Sequence, residues 1–359
     1  MATLIRVIEQ NYAELHERPA LFPPQQVSEL QATTRAHFEK CESLLLARGA
    51  LGFIRRGHGD LHLGNIVLIG GRPVPFDALE FDPLMASADL LYDLAFLLMD
   101  LVERGMGAQA NIVLNRYLTT LNRQEDLNGL AALPLFLSVR AAIRAKVLAE
   151  GGQFLNSAPR AKAEQDARRY FDLACALINP PAPVVVAIGG LSGTGKSALA
   201  IMLAPDIGPT PGAVILRSDV ERKLLFGHRE TEKLPPAAYA EEVSARVYAM
   251  LQQKTERLLT AGHSVIVDAV FSNSGERSGI AAVATKANAA FFGFFLKADL
   301  STRLVRLAGR GADASDAGRE VAQEQESYDL GKLDWHLIDA TGTGDDTLQL
   351  VKAAALLRR

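Results

Sequence analysis

Gly190-Leu191-Ser192-Gly193-Thr194-Gly195-Lys196-Ser197 matches G-x-x-x-x-G-K-[ST] at every fixed position. An apolar run, VVVAIGG, leads into it and a helix-forming run, SALAIMLA, overlaps its end. A strand that turns sharply into a helix is the context this pattern requires. Glycines let the backbone turn tightly enough for successive N–H groups to point at phosphate oxygens. The helix adds its positive N-terminal end. In this reading Gly190, Ser192, Gly193, Thr194, Gly195, Lys196 and Ser197 form the nucleotide cradle. Lys196 reaches the β- and γ-phosphates of ATP, and Ser197 ligates Mg²⁺.

Outward from this loop, apolar runs alternate with helical stretches. They lie at Val184–Ile188, Ala213–Leu216, Val265–Val267, Phe291–Leu296 and Trp335–Ile338. The spacing suits helical crossovers, so residues 184–359 read as βα units around a parallel sheet. Upstream, Asn179-Pro180-Pro181-Ala182-Pro183 blocks helix continuation and reads as a linker, 179–183. Residues 1–178 read as mostly helical, with helix-period segments near 25–48, 87–103, 108–122, 130–150 and 160–178. Ile66–Ile69, Gly70-Gly71 and Val74-Pro75-Phe76 read as a short β-hairpin.

The bulk numbers exclude several classes. The chain has 359 residues, 48% apolar and 22% charged, which suits two folded domains rather than disorder. Its 38 basic and 41 acidic side chains nearly balance, against a general nucleic-acid or membrane-surface binder. Cys41 and Cys175 give no disulfide framework or metal-ligand spacing and read as buried thiols. The N-terminal stretch lacks the apolar core of a signal peptide. Leu90 to Val102, cut by Asp93 and Asp100, is too short and acidic to span a bilayer. A cytoplasmic location is the expectation.

Three features extend the loop toward phosphoryl transfer. Arg217-Ser218-Asp219 follows the second predicted strand, and carboxyl ends of strands face the ligand crevice in an open parallel sheet. Asp219 there can take the proton of an acceptor hydroxyl, and Arg222 can hold the acceptor. Ser218-x-x-Glu221 is equally a capping box, which leaves Asp219 a first-turn acid. Asp268 ends the third strand, where such a carboxylate supports Mg²⁺ through water or lies near the acceptor, or else is a plain turn residue. Arg303, Arg306 and Arg310 share a helix face before a Gly/Ala/Asp/Ser loop at 309–318. Arg306 and Arg310 read as lid arginines that neutralise the transferred group; Arg303 reads equally as a solvated charge. The acceptor pocket is expected between Leu224 and Tyr239.

GLSGTGKS, RSDVERKLLFG, VIVDAVF and RLVRLAGRGADASDA together resemble the small-molecule P-loop kinases: gluconate, shikimate and chloramphenicol kinases and the kinase half of phage polynucleotide kinase. The resemblance implies an α/β fold, a five-stranded parallel core with helices on both faces, and an arginine-bearing lid. In the first half, His58-Gly59-Asp60-Leu61-His62-Leu63-Gly64-Asn65 has the D-x-x-x-x-N spacing of a kinase catalytic loop, and Phe76-Asp77 follows the hairpin. This segment is similar to the C-terminal lobe of aminoglycoside phosphotransferases. The resemblance implies a site at Asp60, Asn65 and Asp77, with Asp89 and Asp93 holding its loop. Such a kinase needs a front lobe with a Gly-rich loop and a phosphate-pairing lysine. Only 57 residues precede His58, with Lys40 as their one lysine. The front lobe is therefore expected to be missing, the start shortened or misplaced, and 1–178 to serve as a packing platform with a vestigial site. As a whole the chain resembles a bacterial two-part protein joining these two halves.

The leading expectation is an ATP:alcohol phosphotransferase acting on a small hydroxyl-bearing acceptor, with no membrane or nucleic-acid partner. A nucleotide-dependent interaction module with little turnover is the rival. A polynucleotide 5′-hydroxyl kinase is disfavoured by the balanced charge and the lack of interleaved basic and aromatic residues.

Overall fold

A computed structural model describes residues 2–80, 86–154, 156–309, 311 and 313–356. The chain divides into two compact units, Met1–Pro181 and Ala182–Arg359.

The first unit is mainly helical: α1 (Ala2–His16), α2 (Pro24–Ala50), α3 (Leu90–Glu103), α4 (Gly107–Leu121), α5 (Gln124–Gly129), α6 (Leu133–Gly152) and α7 (Ser157–Leu177). Helix α6 is buried along most of its length and packs on α7 and α3. The Ser138 hydroxyl donates to the Ala174 carbonyl at 2.8 Å across that seam. Two small antiparallel ladders interrupt the helices. Strand β2 (Ile66–Ile69) pairs with β3 (Arg72–Pro75), while β1 (Ile54–Arg56) pairs with β4 (Ser87–Asp89). Arg48 is fully buried on α2 and reaches both Asp89 oxygens at 2.7 and 2.8 Å and Asp126 at 3.3 Å. A charge taken out of water needs such partners to stay inside a fold. Cys41 is buried, as its apolar setting implies, whereas Cys175 is only half-buried.

The second unit is a three-layer α/β fold. Its strands are β5 (Val184–Gly190), β6 (Val214–Arg217), β7 (Val265–Asp268), β8 (Ala290–Lys297) and β9 (His336–Asp339), in the order β6-β7-β5-β8-β9, all parallel. Alternate residues face opposite layers. Val186, Ile188, Ile266, Phe294 and Leu296 pack with Leu199 and Leu203 of α8 (Lys196–Leu203) and Val351 of α14 (Gly344–Val351). Val185, Ala187, Val265 and Val267 are equally buried on the other face, which α10 (Glu241–Thr260) and α11 (Ser274–Lys286) cover. Burial on both faces explains why these strands read as unbroken apolar runs. The remaining helices are α9 (Ser218–Leu225), α12 (Leu300–Ala308) and α13 (Arg319–Glu324). The register sets Arg217, Asp268 and Ile188 side by side at the carboxyl edge, just where the phosphate loop leaves β5.

Candidate functional site: a phosphate loop over a deep cleft

The loop after β5 takes the conformation its glycines allow. Gly190, Gly193 and Gly195 all have positive φ. Gly193 has a second constraint, since a Cβ there would lie 2.8 Å from the Arg303 carbonyl oxygen. Thr194 Oγ1 and Lys196 Nζ both donate to the Leu191 carbonyl, at 2.8 and 3.2 Å, which draws the loop into a closed turn. Burial lowers the pKa of Lys196, against the opposing pull of Asp268 and Asp219. Ser197 Oγ donates to Asp268 Oδ2 at 2.6 Å. A hydroxyl and a single carboxylate so placed are hard oxygen donors that would hold a divalent cation together with a bound phosphate. That donor set suits Mg²⁺ better than a cation needing an all-protein cage. Among the described residues no group of three or more His, Cys, Asp or Glu could hold a metal by itself.

The loop is clamped from behind. Arg303 on α12 is buried, and its Nε donates to the Ser192 carbonyl at 2.8 Å while its other nitrogens reach Ala322 O and the Glu326 carboxylate. The Ser192 N–H donates to Gln325 Oε1 at 2.7 Å. Ser192 lines the cleft, but its amide is committed to the protein, a correction to its place among the phosphate-facing donors. Arg303 is likewise no solvated charge. Its neighbour Arg306 extends to the carbonyls of Thr194 and Gly342, at the loop's rim. Arg310 lies outside the described residues.

A cleft of about 950 Å³ opens in front of the loop, bounded by Lys196, Ser197, Asp219, Asp268, Arg217 and Arg306. Asp219 sits in the first turn of α9, and burial, reinforced by the neighbouring Asp268 carboxylate, raises its pKa; Lys196 and Arg217 oppose the shift. The alternative of a Ser218–Glu221 capping box is not what forms. Helix α9 has no side-chain cap, and Glu221 turns inward to Lys254 at 2.7 Å.

Beyond Asp219 the cleft is lined by Arg222, Tyr239, Ser244, Tyr248 and Glu276. Arg222 is buried, donates to Ala238 O at 2.7 Å and Ser244 Oγ at 3.3 Å, and stacks over the Tyr239 ring at 5.0 Å. Its buried Nε has no hydrogen-bond partner among the described residues. Of the segment from Leu224 to Tyr239, where an acceptor pocket is expected, Tyr239 lines the cleft and Leu224 does not, while α10 and α11 supply lining residues that the sequence did not single out. Arg217 was also overlooked as a site residue. It lies 3.4 Å from Asp268 and donates to both Asp313 oxygens at 2.9 and 3.0 Å. Its place as last residue of β6 was the available signal.

In the first unit, Asn65 Nδ2 donates to Asp60 Oδ2 at 3.0 Å. Asp60 is held below the ordinary carboxylate range, chiefly by its contact with His62. Asp77 is exposed, with φ of 61°. Asp93 accepts from the His58 and Gly59 amides, each at 2.8 Å, and so holds this loop as expected of it. Asp89 does not. It turns to Arg48 and caps α3, while Asp100 takes the Leu63 amide at 2.9 Å.

Comparison with known proteins follows this geometry. Residues 185–328 match the family model described as an AAA domain. Uncharacterized protein Rv2004c of Mycobacterium tuberculosis and uncharacterized protein Mb2027c of Mycobacterium bovis are each 31% identical over 310 residues, 84% of this chain. The chain spans 59% of the length of these curated relatives. Among solved structures, a gluconokinase from Sinorhizobium meliloti shares 16% identity, covering 48% of this chain and 92% of that one, with a TM-score of 0.35. The Mycobacterium tuberculosis APS kinase in complex with AMPPNP and APS shares 22%, covering 48% and 98%, with a TM-score of 0.36. The second unit is a P-loop nucleotide-binding fold. No helix among the described residues is long and apolar enough to cross a membrane.

Proposed function

We propose that the second unit is an ATP-dependent phosphotransferase that moves the γ-phosphate to a hydroxyl of a small molecule. One observation carries the reading: the Asp219 carboxylate, its pKa raised, lines one cleft with Lys196 and Asp268, and the same cleft is lined by Arg222, whose Nε has no hydrogen-bond partner among the described residues. A carboxylate of raised pKa is a stronger base, and the whole cleft, about 950 Å³, is large enough for a nucleotide or another small ligand. In this reading Lys196 and the loop amides hold the phosphates. Ser197 and Asp268 would hold Mg²⁺, which would offset charge on the phosphate oxygens. Asp219 accepts the acceptor's proton, Arg222 orients the acceptor, and Arg306 offsets charge on the transferred group. Positioning and fixed charge supply most of the rate.

The test is ADP release with a panel of sugars, sugar acids, aminoglycosides and nucleosides. Lys196→Ala is expected to abolish turnover. Asp219→Asn should keep Mg·ATP affinity by calorimetry while kcat falls by about 10²–10⁴-fold, the usual worth of a general base. Equal rates for Asp219→Asn and the parent chain would refute the base assignment. ATP binding with no turnover on any acceptor would favour a nucleotide-sensing module instead.

A further inference from the structure

Arg222 lines the cleft with Lys196, Asp219 and Asp268 and is only 8% exposed, yet the fold gives its charge no counter-ion. The other buried arginines and lysine among the described residues are compensated. Arg48 reaches Asp89 and Asp126, Arg140 lies 3.9 Å from Asp93, Lys223 donates to Asp316, and Arg303 donates to Glu326. Arg277 meets four backbone carbonyls instead, those of Phe271, Ser272, Leu330 and Lys332. Arg222 has the Ala238 carbonyl at 2.7 Å and the Ser244 hydroxyl at 3.3 Å, and among the described residues it has no ion pair. A guanidinium carries five N–H bonds, and the one on Nε has no partner among those residues. The Tyr239 ring, 5.0 Å away, offers its π face but no ionic charge. Glu276 lines the same cleft, but its carboxylate caps α11, accepting from the Asn273 amide at 3.2 Å.

A cation taken out of water without a counter-ion is unfavourable, and a bound anion relieves that state. We propose that the acceptor is an anion, an alcohol that also carries a carboxylate, sulfate or phosphate group, and that this group is the missing counter-ion of Arg222. The inference rests on the phosphotransfer reading above and adds its substrate class. Asp219 and Arg222 lie three positions apart on α9, a spacing that makes side chains neighbours on a helix surface. The acceptor's hydroxyl then meets the carboxylate that takes its proton, while its anionic group is held about one helical turn away by the opposite charge. A neutral alcohol of the same size leaves the guanidinium uncompensated. The site therefore discriminates against it through its own unpaired charge, as a buried polar group does against an analogue lacking its partner.

The experiment uses the full chain with its nucleotide site filled by Mg·ADP and inorganic sulfate as the anion probe, read by calorimetry. Arg222→Gln should weaken sulfate binding by roughly 10–100-fold, the usual worth of hydrogen bonds to a charged group, and leave Mg·ADP affinity unchanged. Ser244→Asp sets a carboxylate beside the guanidinium and should weaken sulfate as well, which keeps the test decisive if Arg222→Gln does not fold. Unchanged sulfate affinity in either folded variant overturns the proposal, as does an ADP-loaded parent chain that binds no sulfate. An equal loss of Mg·ADP affinity in Arg222→Gln also overturns it, because the arginine would then serve the nucleotide. In turnover, sugar acids and sugar phosphates should exceed the corresponding neutral sugars in kcat/KM, and Arg222→Gln should collapse that preference. Equal kcat/KM for the acids and their neutral counterparts overturns the anionic class and leaves the phosphotransfer reading standing. Sulfate binding that depends on Arg222, with no turnover on any acceptor, supports the anion site and removes the phosphotransfer reading.

Discussion

Asp219 and Lys196 carry opposite charges, and burial is the largest influence on each, displacing their pKa values toward one another. Asp219 works as a base only when ionised. Its raised pKa moves the acid limb of kcat/KM above the ordinary carboxylate region near 4. Lys196 holds phosphate only when protonated. Its lowered pKa brings the alkaline limb below the ordinary lysine region near 10. The free enzyme should therefore show a bell in kcat/KM that is narrower on both sides than two unperturbed groups would give. Activity falls as pH drops through the Asp219 value and again as pH rises through the Lys196 value. Each limb should approach a tenfold loss per pH unit. An acid limb at the unperturbed carboxylate position would remove Asp219 from the role.

At the scale of elements, α12 is the support on which the phosphate loop rests. The i, i+3, i+7 spacing of Arg303, Arg306 and Arg310 was plain in the sequence, but not which of them turns inward. Arg303 and Gln325 grip Ser192 from segments 111 and 133 positions away, and nothing local to either residue announces such a contact. The strands were legible for the opposite reason. Being buried on both faces, β5 and β7 had to be apolar up to the carboxyl edge, whereas Ile54-Arg55-Arg56 of β1 is exposed. Asp89 and Asp93 looked equivalent in sequence, and Arg48, 41 positions upstream, claimed one of them. The Arg303 clamp can be tested directly. Hydrogen bonds to charged groups contribute about 1.5–3 kcal/mol, so Arg303→Gln should weaken Mg·ATP binding by roughly 10–100-fold. Calorimetry should be paired with urea unfolding to separate loop disorder from global loss. Unchanged affinity in a folded variant would show that the loop holds its shape without α12.

For the molecule as a whole, the boundary between the two compact units, at Pro181 and Ala182, lies within the proline-rich stretch 179–183. What the sequence could not show is how acid acts on the second unit. His263 is fully buried just before β7, and its Nε2 donates to the Gly212 carbonyl at 3.0 Å. Burial lowers its pKa from 6.5 to about 4. The folded chain therefore keeps this ring neutral in a range where the unfolded chain protonates it. Stability from this group is fully present above pH 6.5 and is lost as pH falls from there to about 4, below which both states bind the proton. The loss amounts to about 3 kcal/mol across that window, since each pKa unit corresponds to about 1.4 kcal/mol. Urea titrations of the second unit at a series of pH values would measure it. His263→Gln retains an N–H donor for Gly212 and has no titrating group, so its stability should decline less steeply between pH 6.5 and 4. Identical slopes for the two chains would mean that other groups govern acid unfolding of this unit.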